Sequence, residues 1–304
     1  MRTRRLGGLE VPVVGVGTNA FGRRVDLAGA RSVIDAAIDS GARLLDTADI
    51  YGGAGKSETM IGEALAGRRD RVLIASKFGM DMGDGKGPRG SRAYLREACE
   101  ASLRRLGTDV IDLYQYHEPD GVTPLEETLG AMRELVAEGK VRELGVSNFS
   151  APELEAAEPF GVVSLQNEYS LMTREIEPAV LPACERLGVG VLPYFPLARG
   201  LLTGKYRRGE EAAAGLRLSG TAGGASEAQL DAVEAFAAFA AERGIGLLDV
   251  AIGGLLGQPA VACVISGATK PEQVHANAAA GAWEPSAADL AALDAIVARG
   301  SVVS

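Results

Sequence analysis

Eight times along this 304-residue chain a short apolar run, rich in β-branched residues, gives way to a stretch with helical periodicity. The runs fall at 13–17, 43–47, 72–76, 111–115, 142–146, 162–166, 190–194 and 262–265. They are apolar almost throughout, as strands buried on both faces must be, which points to a parallel sheet covered by helices. Eight strand–helix alternations with no polar linker favour closure into a (β/α)8 TIM barrel. A doubly wound open sheet usually has fewer strands and would need a second domain here. The α/β chain is accordingly read as one barrel domain over 1–304.

Amphipathic stretches lie between the runs at 27–40, 57–66, 91–106, 124–138, 151–158 and 174–187. In the first, Val33, Ile34, Ala37 and Ile38 share one face. Ser91, Thr123 and Ser150 stand where an N-cap oxygen is wanted, and Lys56-Ser57-Glu58 reads as a helix start with a serine cap. Gly41, Gly107, Gly139 and Gly188 stand where helices end. Segments 4–6 and 10–13, around Gly7-Gly8, read as an N-terminal β-hairpin able to close the bottom of a barrel. Residues 226–243 and 247–257 read as two more helices, and 286–298 as a C-terminal helix. One stretch breaks the rhythm: 200–225 has no clear period, and so long a loop in a compact fold is usually functional or mobile.

Thirty-one Lys and Arg against 40 Asp and Glu leave a net charge of −9, which disfavours nucleic acid as a partner. No run of about 18 apolar residues predicts a membrane span, and the N-terminus lacks the apolar stretch of a signal peptide. Cys99, Cys184 and Cys263 are far apart and lack C-x-x-C spacing, so neither a disulfide framework nor a zinc site is expected. A reducing, cytoplasmic location is the default expectation.

Two phosphate-binding patterns fail their context tests. Gly15-Val-Gly17-Thr-Asn-Ala20 fits G-x-G-x-x-A, but the helix starts near Leu27 instead of opening from the glycines. Gly55-Lys56-Ser57 ends like a P-loop, but Ile50 stands where the first glycine is required.

Four polar residues stand at the ends of three successive strands. Asp46 ends Leu-Leu-Asp, Tyr51 lies in the following loop, Lys77 follows Leu-Ile-Ala-Ser, and His117 follows Leu-Tyr-Gln-Tyr. In a parallel barrel these ends share one rim, where active sites are built. Carbonyl reduction needs hydride at carbon and a proton at oxygen. A tyrosine can serve as the acid if a nearby ammonium lowers its pKa from about 10. Asp46 would keep Lys77 charged, and His117 could orient the substrate oxygen. With only His117 and His275 in the chain, a His-rich metal site is excluded, and no metal is expected.

Asp46-Thr-Ala-Asp-Ile-Tyr51-Gly, Ser76-Lys77-Phe-Gly and Tyr116-His117 resemble the Asp–Tyr–Lys–His tetrad of the aldo-keto reductases in order and in strand position. Gly145-Val-Ser147-Asn148-Phe149, Leu165-Gln166-Asn167-Glu168-Tyr169, the stretch from Pro196 through Tyr206, and Pro271 through Asn277 resemble the family too. The resemblance covers nearly the whole chain. It implies an NAD(P)H-dependent oxidoreductase that reduces aldehydes, ketones or sugar carbonyls, with Tyr51 as general acid. The reverse reaction, as a sugar or alcohol dehydrogenase, is the alternative, and a cofactor-sensing regulatory subunit is another.

The same resemblance implies a coenzyme site. Ser147, Asn148 and Gln166 would hold the nicotinamide carboxamide and Tyr194 would stack on the ring. Leu197, Arg199, Gly200 and Lys205 would line the pyrophosphate, under a flap formed by the aperiodic stretch. Gly267, Thr269, Gln273 and Asn277 would surround the adenosine, and Gly17, Thr18 and Asp46 complete the set. NADPH is the expected coenzyme and NADH the alternative, because Gln273 stands where relatives place an arginine for the 2′-phosphate, leaving Lys270 to substitute. Phe195 departs from the small or polar residue common after the stacking tyrosine. The expected partner is a small-molecule carbonyl compound, with no membrane contact; the oligomeric state is open.

Overall fold

The computed structural model describes residues 1–205 and 225–303. The chain opens with the expected hairpin, β1 (Thr3–Leu6) and β2 (Leu9–Pro12), paired antiparallel. Eight parallel strands follow: β3 (Val14–Gly17), β4 (Leu44–Asp46), β5 (Leu73–Phe78), β6 (Ile111–Tyr116), β7 (Val141–Ser147), β8 (Val162–Gln166), β9 (Gly190–Val191) and β10 (Val264–Gly267). They form one sheet in the order β10-β3-β4-β5-β6-β7-β8-β9. The ring closes between β9 and the approach to β10: Val191 N donates to Ala260 O at 2.7 Å, and Ala262 N to Val191 O at 2.8 Å. This is the (β/α)8 barrel that the alternation predicts.

Around it stand α1 (Leu27–Ser40), α2 (Lys56–Ala64), α3 (Arg92–Leu106), α4 (Leu125–Ala137), α5 (Ala151–Ala157), α6 (Val180–Leu187), α7 (Glu227–Glu242), α8 (Leu247–Leu256), α9 (Pro271–Ala280) and α10 (Ala287–Ile296). Apolar residues form two clusters. One fills the layer between sheet and helices. The other lies inside the ring, where Leu6, Leu9 and Val11 of the hairpin pack against Leu44, Ala75, Leu113 and Leu192. The hairpin thus plugs the end of the barrel opposite the strand C-termini. Gly190 makes room for the plug: a Cβ there would overlap the Leu6 side chain.

Local signals act largely as read. Ser91 Oγ accepts from Tyr94 N, and Glu153 closes a capping box on Ser150. Gly41, Gly107 and Gly188 adopt the left-handed conformation at helix ends. Asp26 caps α1 at Leu27, well past the glycines of the dinucleotide-like pattern.

Several expectations are corrected. Thr123 caps nothing; Asp120 accepts from its N–H at 2.8 Å and Pro124 precedes the helix. Ser57 is not a cap either, since α2 starts at Lys56 after left-handed Gly55, and Ser57 Oγ is turned inward to Thr18 O at 3.1 Å. The helix expected from 174 begins only at Val180. Arg174 is drawn away from a helical course by buried pairing with Glu177 and Asp294, and its N–H bonds to Ser301 O. The strand read at 190–194 is cut to two residues because Pro193 has no N–H for the ladder. The eighth strand runs two residues further along, to Gly267. Of the aperiodic stretch, Ala198–Thr203 forms a 3-10 turn; positions 206–224, and the flap reading with them, lie outside the described residues.

The three cysteines are buried free thiols. Among the described residues no helix is long and apolar enough to cross a membrane, and no cluster of His, Cys, Asp and Glu could hold a metal ion.

Candidate active site

Asp46 ends β4, and Lys77 lies on the neighbouring strand β5, inside the strand instead of just beyond it. The Lys77 side chain is fully buried, and an ammonium persists there only if its hydrogens are matched. They are: Nζ donates to Asp46 Oδ2 at 2.7 Å, Thr47 O at 3.0 Å and Tyr51 Oη at 3.2 Å. Burial by itself would lower the Lys77 pKa, but the Asp46 carboxylate, then Tyr51, outweigh it and raise the value.

Tyr51 corrects the expected direction. Burial raises its pKa, and the neighbouring Lys77 ammonium offsets this only in part, so the phenol stays above its ordinary value. Its resting form is the protonated donor. His117 follows β6 with its ring edge-on to Tyr51, centroids 6.0 Å apart. Burial, then the Lys77 charge, lowers its pKa to about 3, so the imidazole is neutral. Its Nδ1 is buried without a hydrogen-bond partner. A neutral imidazole offers one N–H, enough to orient a carbonyl oxygen.

A hydrogen-bond chain joins this group to the neighbouring strands. Gln166 Nε2 donates to Asp46 Oδ1 at 2.9 Å, and Ser147 Oγ donates to Gln166 O at 2.7 Å. Asn148 Nδ2 donates to His117 O at 3.0 Å, while Asn148 Oδ1 accepts from Tyr194 Oη at 2.9 Å. Asn148 is held at φ +61°, and Phe195, Ala198 and Arg199 at +53°, +47° and +57°. Such backbone costs about 1–3 kcal/mol per residue and persists where surrounding structure imposes it, often at functional sites.

The strand ends open into a cavity of about 590 Å3. Asp46, Tyr51 and His117 line its floor; Ser147, Asn148, Gln166 and Tyr194 form one wall. Leu197, Arg199, Gly200 and Lys205 continue from Tyr194, and Gly17, Gly267, Thr269 and Gln273 complete the far side. Three expected residues do not reach it. Lys77 sits behind Asp46 and Tyr51. Thr18 is fully buried, its Oγ1 donating to Asp46 O at 2.8 Å. Asn277 is buried on α9. Met80 and Glu118, in the loops 79–90 and 118–121 where the sequence leads one to expect substrate specificity, also face the cavity, as do Asn19, Arg24 and Thr203, which the sequence did not single out. Gln115, beneath the floor, approaches Asp46 Oδ1 at 3.5 Å. Met80 and Glu118 follow the ends of β5 and β6; Arg24 lies in the middle of a loop and carried no sequence signal.

A model of the aldo/keto reductase family matches residues 13–298. The chain belongs to that family. Its members are oxidoreductases that use nicotinamide cofactors. A probable aldo-keto reductase 1 from Glycine max is 40% identical over 207 residues, 65% of this chain; the match spans 59% of the plant protein's length. The aldo-keto reductase AKR11C1 from Bacillus halodurans, in its holo form, superposes with a TM-score of 0.84 at 31% identity, covering 99% of this chain and 98% of its own. The glycerol dehydrogenase AKR11B4 from Gluconobacter oxydans superposes with a TM-score of 0.87 at 34% identity, covering 99% of this chain and 97% of its own.

A dinucleotide suits the chemistry of this cavity. Arg199 and Lys205 bring cationic groups to its lining, Tyr194 offers an aromatic face, and Ser147, Asn148 and Gln166 place amide and hydroxyl groups side by side. Gln273 is partly committed, since its Oε1 accepts from Thr269 N at 2.8 Å and Oγ1 at 3.1 Å. Its amide N–H group is left to meet a ligand.

Proposed function

We propose that this protein reduces aldehydes, ketones or sugar carbonyls with NADPH, and with NADH as the weaker alternative, using Tyr51 as general acid. The observation that carries the reading is the contact of Tyr51 Oη with the buried Lys77 ammonium at the cavity floor. A reduced nicotinamide coenzyme, when bound, would supply the hydride that the carbonyl carbon needs. The proton comes from Tyr51 Oη and ends on the carbonyl oxygen. As the phenol gives it up, the Lys77 ammonium 3.2 Å away stabilises the phenolate, and Asp46 keeps that ammonium charged. Neutral His117 holds the carbonyl oxygen by a hydrogen bond without competing as an acid. In the reverse direction the Tyr51 phenolate takes the alcohol proton, and the relative amounts of oxidised and reduced coenzyme set the direction.

Ser147, Asn148 and Gln166 hold the carboxamide in this reading, Tyr194 backs the ring, and Arg199 and Lys205 meet the pyrophosphate. Lys270, exposed at the N-terminus of α9, supplies the charge for a 2′-phosphate in place of arginine. A cytoplasmic site of action, and a single barrel domain over 1–304, accompany the proposal.

Calorimetric titration with NADPH and with NADH, followed by aldehyde-dependent loss of reduced-nicotinamide absorbance, tests the reading. Binding of NADPH ahead of NADH, with turnover, is expected. Absence of binding of either coenzyme overturns it.

A further inference from the structure

We propose that Arg24 is the receptor for an anionic group on the substrate, so that the carbonyl compounds preferred here carry a phosphate or a carboxylate. The proposal rests on the reductase reading and adds the substrate class.

The ring order divides the cavity. The candidate coenzyme contacts follow β7 through β10 and reach Gly17 at the end of β3 and Asp46 at the end of β4; Tyr51, Met80, His117 and Glu118, after β4 to β6, face the part of the cavity proposed for the substrate. Arg24 belongs to the loop after β3, one strand from the loop bearing Tyr51. The two loops are in close contact: a Cβ on Gly52 would lie 2.6 Å from Phe21 O, and one on Gly22 2.9 Å from Lys56 Cδ.

Arg24 is presented on a pinned loop. Its N–H donates to Ala20 O at 2.9 Å, Gly22 N donates to Val25 O at 2.9 Å, and Phe21 and Val25 are buried on either side. Arg24 is exposed and contributes to the cavity lining, and among the described residues it is paired with no carboxylate. Arg199 differs: it lies 3.7 Å from Glu168 and over the Phe195 ring. In a chain of net charge −9, an uncompensated cation facing the reaction cavity is a site for an anion. Glu118, exposed on the rim three strands away after β6, repels such a group and directs it toward Arg24. A guanidinium serves phosphate and carboxylate alike, each by paired N–H donors.

Two substrate pairs that differ in the anion test the proposal under saturating NADPH: glyceraldehyde 3-phosphate against glyceraldehyde, and 4-oxobutanoate against butanal. The charged member of at least one pair is expected to have the higher kcat/KM, and which pair it is separates phosphate from carboxylate. In Arg24→Met the charged-to-neutral ratio of kcat/KM is expected to fall about 10- to 100-fold, the effect of losing one charge-assisted hydrogen-bonding partner. Arg24→Lys should recover part of it. Independently of turnover, calorimetry measures 3-phosphoglycerate and succinate binding to the NADP+ complex. Wild type is expected to bind one of them, and Arg24→Met to bind it at least about 10-fold more weakly. Equal binding by wild type and variant, binding of neither anion, or weakened NADPH binding with an unchanged substrate ratio overturns the proposal. Arg24-dependent anion binding without reduction of any aldehyde overturns the reductase reading and leaves the anion site standing.

Discussion

The ammonium of Lys77 and the carboxylate of Asp46 meet at 2.7 Å on adjacent strands, each side chain almost wholly withdrawn from water. Replacing one partner strands the other. Lys77→Met is expected to lower stability by about 3 kcal/mol, at the lower end of the range for broken buried pairs because Gln166 still bonds to Asp46. It is also expected to abolish most turnover. Urea denaturation with parallel kinetics checks this; a stable, active Lys77→Met protein contradicts the pairing argument.

Tyr51→Phe removes one hydroxyl and keeps the ring. Turnover is expected to fall by about 100-fold or more, while NADPH affinity, measured by calorimetry, changes little. A variant that turns over at the parental rate assigns the proton to another group.

His117, neutral down to about pH 3, should show no protonation between pH 5 and 8, and no limb of the kcat/KM profile there should belong to it. Its folded-state pKa lies below the unfolded value near 6.5. Its contribution to stability is therefore present above pH 6.5 and is lost as the pH falls toward 3. Imidazole NMR shifts of His117 followed over pH 4–8 check the assignment, and a midpoint near 6.5 would refute it.

Asp49, two residues before Tyr51, is buried with neither carboxylate oxygen hydrogen-bonded. Burial, then Glu58, raises its pKa to about 7, with Arg105 opposing. A folded value above the unfolded one favours the fold below the ordinary carboxylate pKa, and that advantage is lost as the pH rises through 7. Asp49→Asn should therefore stabilise the protein at pH 8, by up to about 4 kcal/mol, with the difference shrinking toward pH 5. Denaturation midpoints at both pH values decide the matter; a destabilised variant at pH 8 means the carboxylate is satisfied.

Arg199→Ala and Lys205→Ala should each weaken NADPH binding by about 10-fold, the effect of one charge-assisted contact, with a smaller effect on kcat. Calorimetric affinity unchanged in both variants would remove the 3-10 turn from the pyrophosphate site.

The strands that carry Asp46, Lys77 and His117 are legible in the sequence because burial on both faces makes each an unbroken apolar run, and parallel winding sends all their C-terminal ends to one rim. Caps and stops such as Ser91 and Gly107 are legible because they act within one turn of the helix they bound. The tertiary structure decided what depends on distant partners. Arg174 leaves a helical pattern because Asp294, far along the chain, takes its side chain. Gln166 bonds to Asp46 across 120 residues. Arg24 joins the cavity lining from a loop that packs against the one bearing Tyr51, a neighbourhood that only the fold creates. The acidity of Tyr51 lies furthest beyond the sequence: the nearby lysine can be inferred from strand order, but burial, which outweighs it, is set by how the whole barrel closes over the phenol.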